Sequence, residues 1–173
     1  MFARAGSLLW ALKQPRLDIH LFDAHFDRLV VSQTPGSPAT YSKFLETATE
    51  TRDEQEVLKM FETAQLWHWR AHRAALEAAV GLPPPSPTEL ESIDGQPEQY
   101  VPMAVEDLPD IMEALATHGD TAKTIPLLQN DFCARGKPYR DLPPEIHASL
   151  SGIAQSRLYS LGWVLGVYDD WQD

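Results

Sequence analysis

Leu150 to Trp171, LSGIAQSRLYSLGWVLGVYDDW, is the stretch whose reading decides the fold. Taken as one α-helix at about 100° per residue, it gathers Leu150, Ile153, Leu161, Val164, Tyr168 and Trp171 within an arc of roughly 80°. Such a stripe is the face that a helix turns to a protein core. Arg157 falls inside it. A guanidinium keeps its charge, so at that position it requires a carboxylate or carbonyls as partners, or a cleft that stays wet. On the far side Gly162 and Gly166 stand about one turn apart and leave room for another backbone. That groove could serve internal packing or a homo-oligomer.

Working upstream, Pro143, Pro144 and Glu145 place proline and an acid where the first turn of this helix wants them. Before them Asn130 to Pro144, NDFCARGKPYRDLPP, reads as a loop with two aromatics and three cations. Asp120 is suited to cap a short helix carrying Ile125, Leu127 and Leu128, interrupted by Pro126. Leu108 to Thr117 has helical spacing, and Gly119 stops it. Leu82 to Asp110 holds seven prolines among acidic residues, which predicts an extended connector without regular structure.

The longest periodic segment, Glu54 to Val80, opens on Asp53 with Glu56 three residues on and closes at Gly81. Val57, Phe61, Ala64, His68, Ala71, Ala75 and Ala79 share its predicted apolar face, with Lys59, Glu62, Arg70, Arg73 and Glu77 opposite. Ser37 and Pro38 start a short helix through Leu45. Phe2 to Leu12 reads as a helix ended by Pro15, and Arg16 to Ser32 as a helix in preference to a strand. The expected fold is therefore all-α. Residues 1–173 form a single-domain helical bundle of about six to seven helices with a long proline-rich connector.

The formal net charge of −11 repels phosphate backbones and anionic membranes, so neither nucleic acid nor a membrane is an expected partner. A lone cysteine, Cys133, excludes an internal disulfide and a cysteine-based zinc cage, and fits a reducing compartment. The apolar run at the N-terminus ends too early, at Lys13 to Pro15, for a secretory signal. No apolar window reaches the length of about 18 residues that a membrane span needs. The expected location is cytoplasmic.

Chemistry-bearing patterns are sparse. His68 and His72 stand four apart in HWRAH, but no glutamate follows the first histidine and no third ligand is evident, so no metal is expected. No nucleophile–base pair or phosphate loop is present, and neither catalytic residues nor a cofactor are expected. Candidate binding residues cluster instead around Arg157: Asp131 or Asp141 as its acidic partner, with His68, His72 or His147, while Trp69 and Tyr139 belong to an aromatic rim.

The run Asp131-Phe132, Gly136-Lys137-Pro138-Tyr139 and Leu142, followed by Arg157, Tyr159, Leu161, Trp163, Gly166 and Trp171, resembles the DUF4272 family of bacterial domains of unknown function. Trp69-Arg70 in a long alanine-rich helix resembles that family's central helix. The resemblance covers the last forty or so residues well and the middle third loosely, and departs from the family pattern at His72. It implies an all-helical domain and carries no catalytic residues with it.

The favoured function is a non-catalytic protein-binding protein. In concrete form it is an immunity-type antitoxin that covers a basic toxin, with acidic charge steering the encounter. Contact residues are then expected among Glu89, Glu91, Asp94, Glu98, Glu106, Asp107, Asp169 and Asp170. The alternative is a small-ligand-binding or enzymatic domain with a polar cluster around Arg157.

Overall fold

The computed structural model describes residues 2–13, 26–80 and 121–169. The predicted connector over 82–110, the helix over 108–117 and Trp171 lie outside the described residues. So do all the expected toxin-contact acids except Asp169, which is exposed. The chain packs as two compact units, one drawn from residues 1–65 and 152–173 and the other from residues 66–151.

The first unit contains α1 (Phe2–Ala11), α2 (Phe26–Gln33), α3 (Pro38–Thr47), the first half of α4 (Glu54–Val80) and the second half of α5 (Pro144–Val164). Local chemistry sets these bounds. Ser37 and Thr40 form a reciprocal capping box ahead of α3, with Pro38 in the first turn. Asp53 accepts the Gln55 amide at 2.9 Å at the start of α4. Arg52 closes α1: its amide donates to the Ala11 carbonyl and its Nε to the Trp10 carbonyl at 2.9 Å. The guanidinium then lies over the Trp10 ring. Leu9, Trp10, Ala11, Val30, Val57, Phe61, Ala64, Leu158 and Leu161 make one core.

α5 starts where its prolines place it but stops at Val164, seven residues short of the expected end at Trp171. Gly166 takes φ +69°, and its amide and that of Val167 donate to the Trp163 and Gly162 carbonyls at 3.1 and 2.8 Å. This is a Schellman stop, in which glycine supplies the left-handed residue after the last turn. Gly162 and Gly166 therefore do not form a stripe on a helix face. The Tyr168 ring folds back over Gly162 and occupies the space that a side chain there would need. Within α5 the buried positions Leu150, Ala154, Arg157, Leu158 and Leu161 keep helical spacing.

In the second unit the structure overturns the all-α expectation. Among the described residues there are five α-helices and a three-stranded antiparallel sheet, in place of six to seven helices and a loop. β1 (Leu127–Leu128), β2 (Asp131–Ala134) and β3 (Lys137–Pro138) follow one another in a meander. Thr121–Thr124 forms only a 3-10 turn, so the helix expected after Asp120 does not reach Ile125. Two tight turns build the sheet. Gln129 and Asn130 both have positive φ, as do Arg135 and Gly136, and each pair links strands in register Leu128↔Asp131 and Ala134↔Lys137. Positive φ at both central residues is the turn that matches strand twist. Pro138, with no amide to donate, sits on the outer strand β3. These strands are too short to show alternation, and Asn130 and Gly136 are isolated turn signals beside Gln129 and Arg135. A second 3-10 turn, Tyr139–Asp141, leads toward α5.

Candidate functional site

The second unit is organised around a buried ion pair that joins α4 to β2. On α4, residues Leu66, Trp67, Arg70, Ala71, Arg73 and Ala74 are buried, whereas Ala75 and His72 are exposed. Arg70 and Arg73 were expected on the solvated face, yet they are only 4% and 3% exposed. The physical reason is pairing. Charge that meets a carboxylate at good geometry tolerates burial that an isolated charge does not.

Asp131, 1% exposed, is that carboxylate. Arg70 donates to it as a fork, Nε to Oδ1 at 2.7 Å and Nη2 to Oδ2 at 2.9 Å. The Phe132 amide donates to Oδ1 at 2.8 Å and the Arg140 amide to Oδ2 at 2.9 Å. Each oxygen therefore accepts two hydrogen bonds, which fills a carboxylate's ordinary capacity. Burial alone would push the Arg70 guanidinium down. The hydrogen bonds and charge of Asp131, aided by Glu77 and Tyr139, instead hold it above its usual value. The cation that holds Asp131 is thus Arg70, sixty-one residues away, rather than Arg157. Glu77 sits on the other side, with Oε2 3.5 Å from Arg70 Nη1 and Oε1 3.2 Å from Arg73 Nε.

Aromatic rings wall the pair. Trp67 meets Phe132 edge-on at 4.8 Å, and Trp69 meets the same ring at 6.4 Å. Tyr139 is buried, with Arg70 lying 5.0 Å from its ring centre. His147 stacks on Tyr139 at 4.8 Å and donates from Nε2 to its carbonyl at 2.6 Å. Burial, with Asp131 adding and Arg70 opposing, pushes the Tyr139 phenol up to about 12. The Tyr139 phenol is therefore neutral at neutral pH, and Asp131, with both oxygens engaged, ties α4 to β2 and to the turn after β3.

Of the residues expected to cluster, the fold brings Asp131, Tyr139 and Trp69 into this one site. Asp141 and His72 are exposed, and Arg157 belongs to the first unit. Arg157 is 1% exposed, and burial pushes its guanidinium down to about 9, so it stays charged at neutral pH. Arg70, Arg73, Glu77, Phe132 and Trp67 were not singled out for the site. The spacing Arg70, Arg73, Glu77 on one helix was the available signal, but i,i+4 pairs on a long helix are read first as surface charge.

His68 and His72 lie near enough to influence each other. Burial, then the charge of His72, lowers the His68 pKa below its ordinary 6.5. Among the described residues no cluster of three histidine, cysteine or acidic side chains could hold a metal ion. Because the folded protein prefers neutral His68, its contribution is complete above the unfolded value of 6.5 and is lost as pH falls through the lower folded value. Thermal denaturation from about pH 7.5 to about pH 5 should show a falling midpoint, and His68→Gln should flatten part of that slope. An unchanged slope in the variant would remove His68 from the account.

Among the described residues no helix is long and apolar enough to cross a membrane. Neither the family models, nor the curated proteins, nor the solved structures contain a match to this chain.

Proposed function

We propose that this chain is a non-catalytic binding protein for a cationic protein partner, in its specific form an immunity-type protein that covers a basic toxin. The observation that carries the reading is the surface between Tyr41 and Glu56 in the first unit. Tyr41 and Leu45 stand one turn apart on α3, on the same face, 54% and 56% exposed. Exposed Glu46, Glu50, Asp53, Glu54 and Glu56 follow them. An aromatic and an aliphatic anchor beside five carboxylates is the composition of a surface that docks a basic protein: the apolar pair supplies contact area and the acids supply steering. The overall charge of −11 extends that field. Kinship with the DUF4272 domains, on the Asp131 to Leu142 motif, is part of the same proposal and adds no activity to it.

The test begins with capture at low salt from the native host and identification of the bound protein. Binding kinetics of the purified pair follow. With Glu46→Lys and Glu50→Lys together, association should slow about tenfold or more at low salt, because steering of this kind changes on-rates by about 10 to 1,000. The thermal midpoint should hold, since the ion pair that Glu50 makes with Lys13 at 3.5 Å is exposed. Recovery of the chain alone, or an association rate indifferent to salt and to both substitutions, would sink the reading.

A further inference from the structure

The Arg70–Arg73–Glu77 cluster has a property that the docking surface does not need. Arg70 and Arg73 both reach the Glu77 carboxylate, one through Nη1 and the other through Nε. Asp131 is held at 2.7–2.9 Å, as charge-assisted bonds should be, whereas Glu77 sits at 3.2–3.5 Å from its two partners. Glu77 is the loose member. Its side chain is also 23% exposed while both guanidiniums are below 5%, so it forms the solvent edge of the cluster.

The donors left over are specific. Arg70 Nη1 and both Nη1 and Nη2 of Arg73 are buried and make no hydrogen bond. A buried charged donor without an acceptor is costly, and the cost is removed by any group that brings several acceptor oxygens at once. Glu77 cannot do so from its present position. An oxyanion placed between the two guanidiniums can, because each planar fork matches two oxygens. With Glu77 swung out, Asp131 still balances the charge of Arg70, and the charge of Arg73 is left for the newcomer.

From this we infer that the chain binds a small oxyanion, of the phosphate or carboxylate class, between Arg70 and Arg73, and that Glu77 is the resident carboxylate it displaces. The site lies wholly within the second unit and stands independently of the partner proposed above.

Isothermal titration at constant ionic strength tests this, with inorganic phosphate in one arm and acetate in the other. Saturable uptake of either, at one per chain, is the expected result, and the arm that saturates tells phosphate from carboxylate. Arg73→Met should abolish it. Glu77→Gln should tighten it by roughly two- to fivefold, the equivalent of losing a partly exposed ion pair as competitor. A purely structural Glu77 would show no such gain. Failure of wild type to saturate with both anions, or uptake unchanged or weakened by Glu77→Gln, overturns the inference. Loss of toxin or partner binding in the Arg73 variant is not required by it, so the two readings fail separately.

Discussion

Asp131→Ala should cost about 3–5 kcal/mol of folding stability, the usual price of leaving a buried charge uncompensated. The substitution removes four hydrogen bonds at once, two from Arg70 and two from the Phe132 and Arg140 amides. Arg70, with its side chain only 4% exposed, then has Glu77 at 3.5 Å as its remaining carboxylate. The two amides sit at the head of β2 and in the turn after β3, so the sheet and the turn into α5 loosen together. Urea denaturation measures the loss as a lower midpoint at similar slope. The pair can be separated from its parts by a cycle: Arg70→Met with Asp131→Leu should recover much of the loss, because an apolar pair of similar bulk often replaces a buried ion pair at little cost. A loss below about 1 kcal/mol for Asp131→Ala would mean that the ion pair is not what holds the unit.

Phe132→Ala comes next, at about 3–5 kcal/mol for a buried aromatic truncated to a methyl group. Phe132 is fully buried between Trp67 and Trp69, at 4.8 and 6.4 Å. Edge-to-face contact of this kind adds about 0.5–1.5 kcal/mol beyond burial. Phe132→Leu keeps most of the volume and should lose clearly less. Both indoles lie against the site, so the tryptophan emission of the folded variant should change along with its urea midpoint. Equal losses for the alanine and leucine variants would assign the effect to something other than the cavity and the ring contact.

These two residues show where reading the chain succeeded and where it failed. Asp131 and Phe132 stand in a motif that reads as a loop, and spacing offers Arg157 as the cation for Asp131 or Asp141, whereas the fold gives Asp131 to Arg70 in a strand. A four-residue strand flanked by two-residue partners has no period to detect. Asn130 and Gly136 suit the second position of their turns, but Gln129 and Arg135 are unusual at the first, where a side chain with positive φ is disfavoured. The apolar pattern runs past the end of α5 through Leu165, Val167, Tyr168 and Trp171, so periodicity alone extends the helix too far. The spacing of Gly166 from Gly162 suggests a packing glycine, but Gly166 is the Schellman stop of the helix.

What the chain's own order of residues determined is local. Ser37-Pro38, Asp53, and Pro143-Pro144-Glu145 mark helix starts through groups within a turn of each other, and α3, α4 and α5 begin there. The acidic balance and the burial of Arg157 are likewise legible from composition and spacing. Only the tertiary structure decided which of the 14 lysines and arginines meets Asp131, because that choice joins residues 61 positions apart. It also turned the charged side of α4 inward. A periodicity argument scores each side chain by its own affinity for water, whereas the burial of Arg70 depends on a partner that arrives from another element with its oxygens already in place.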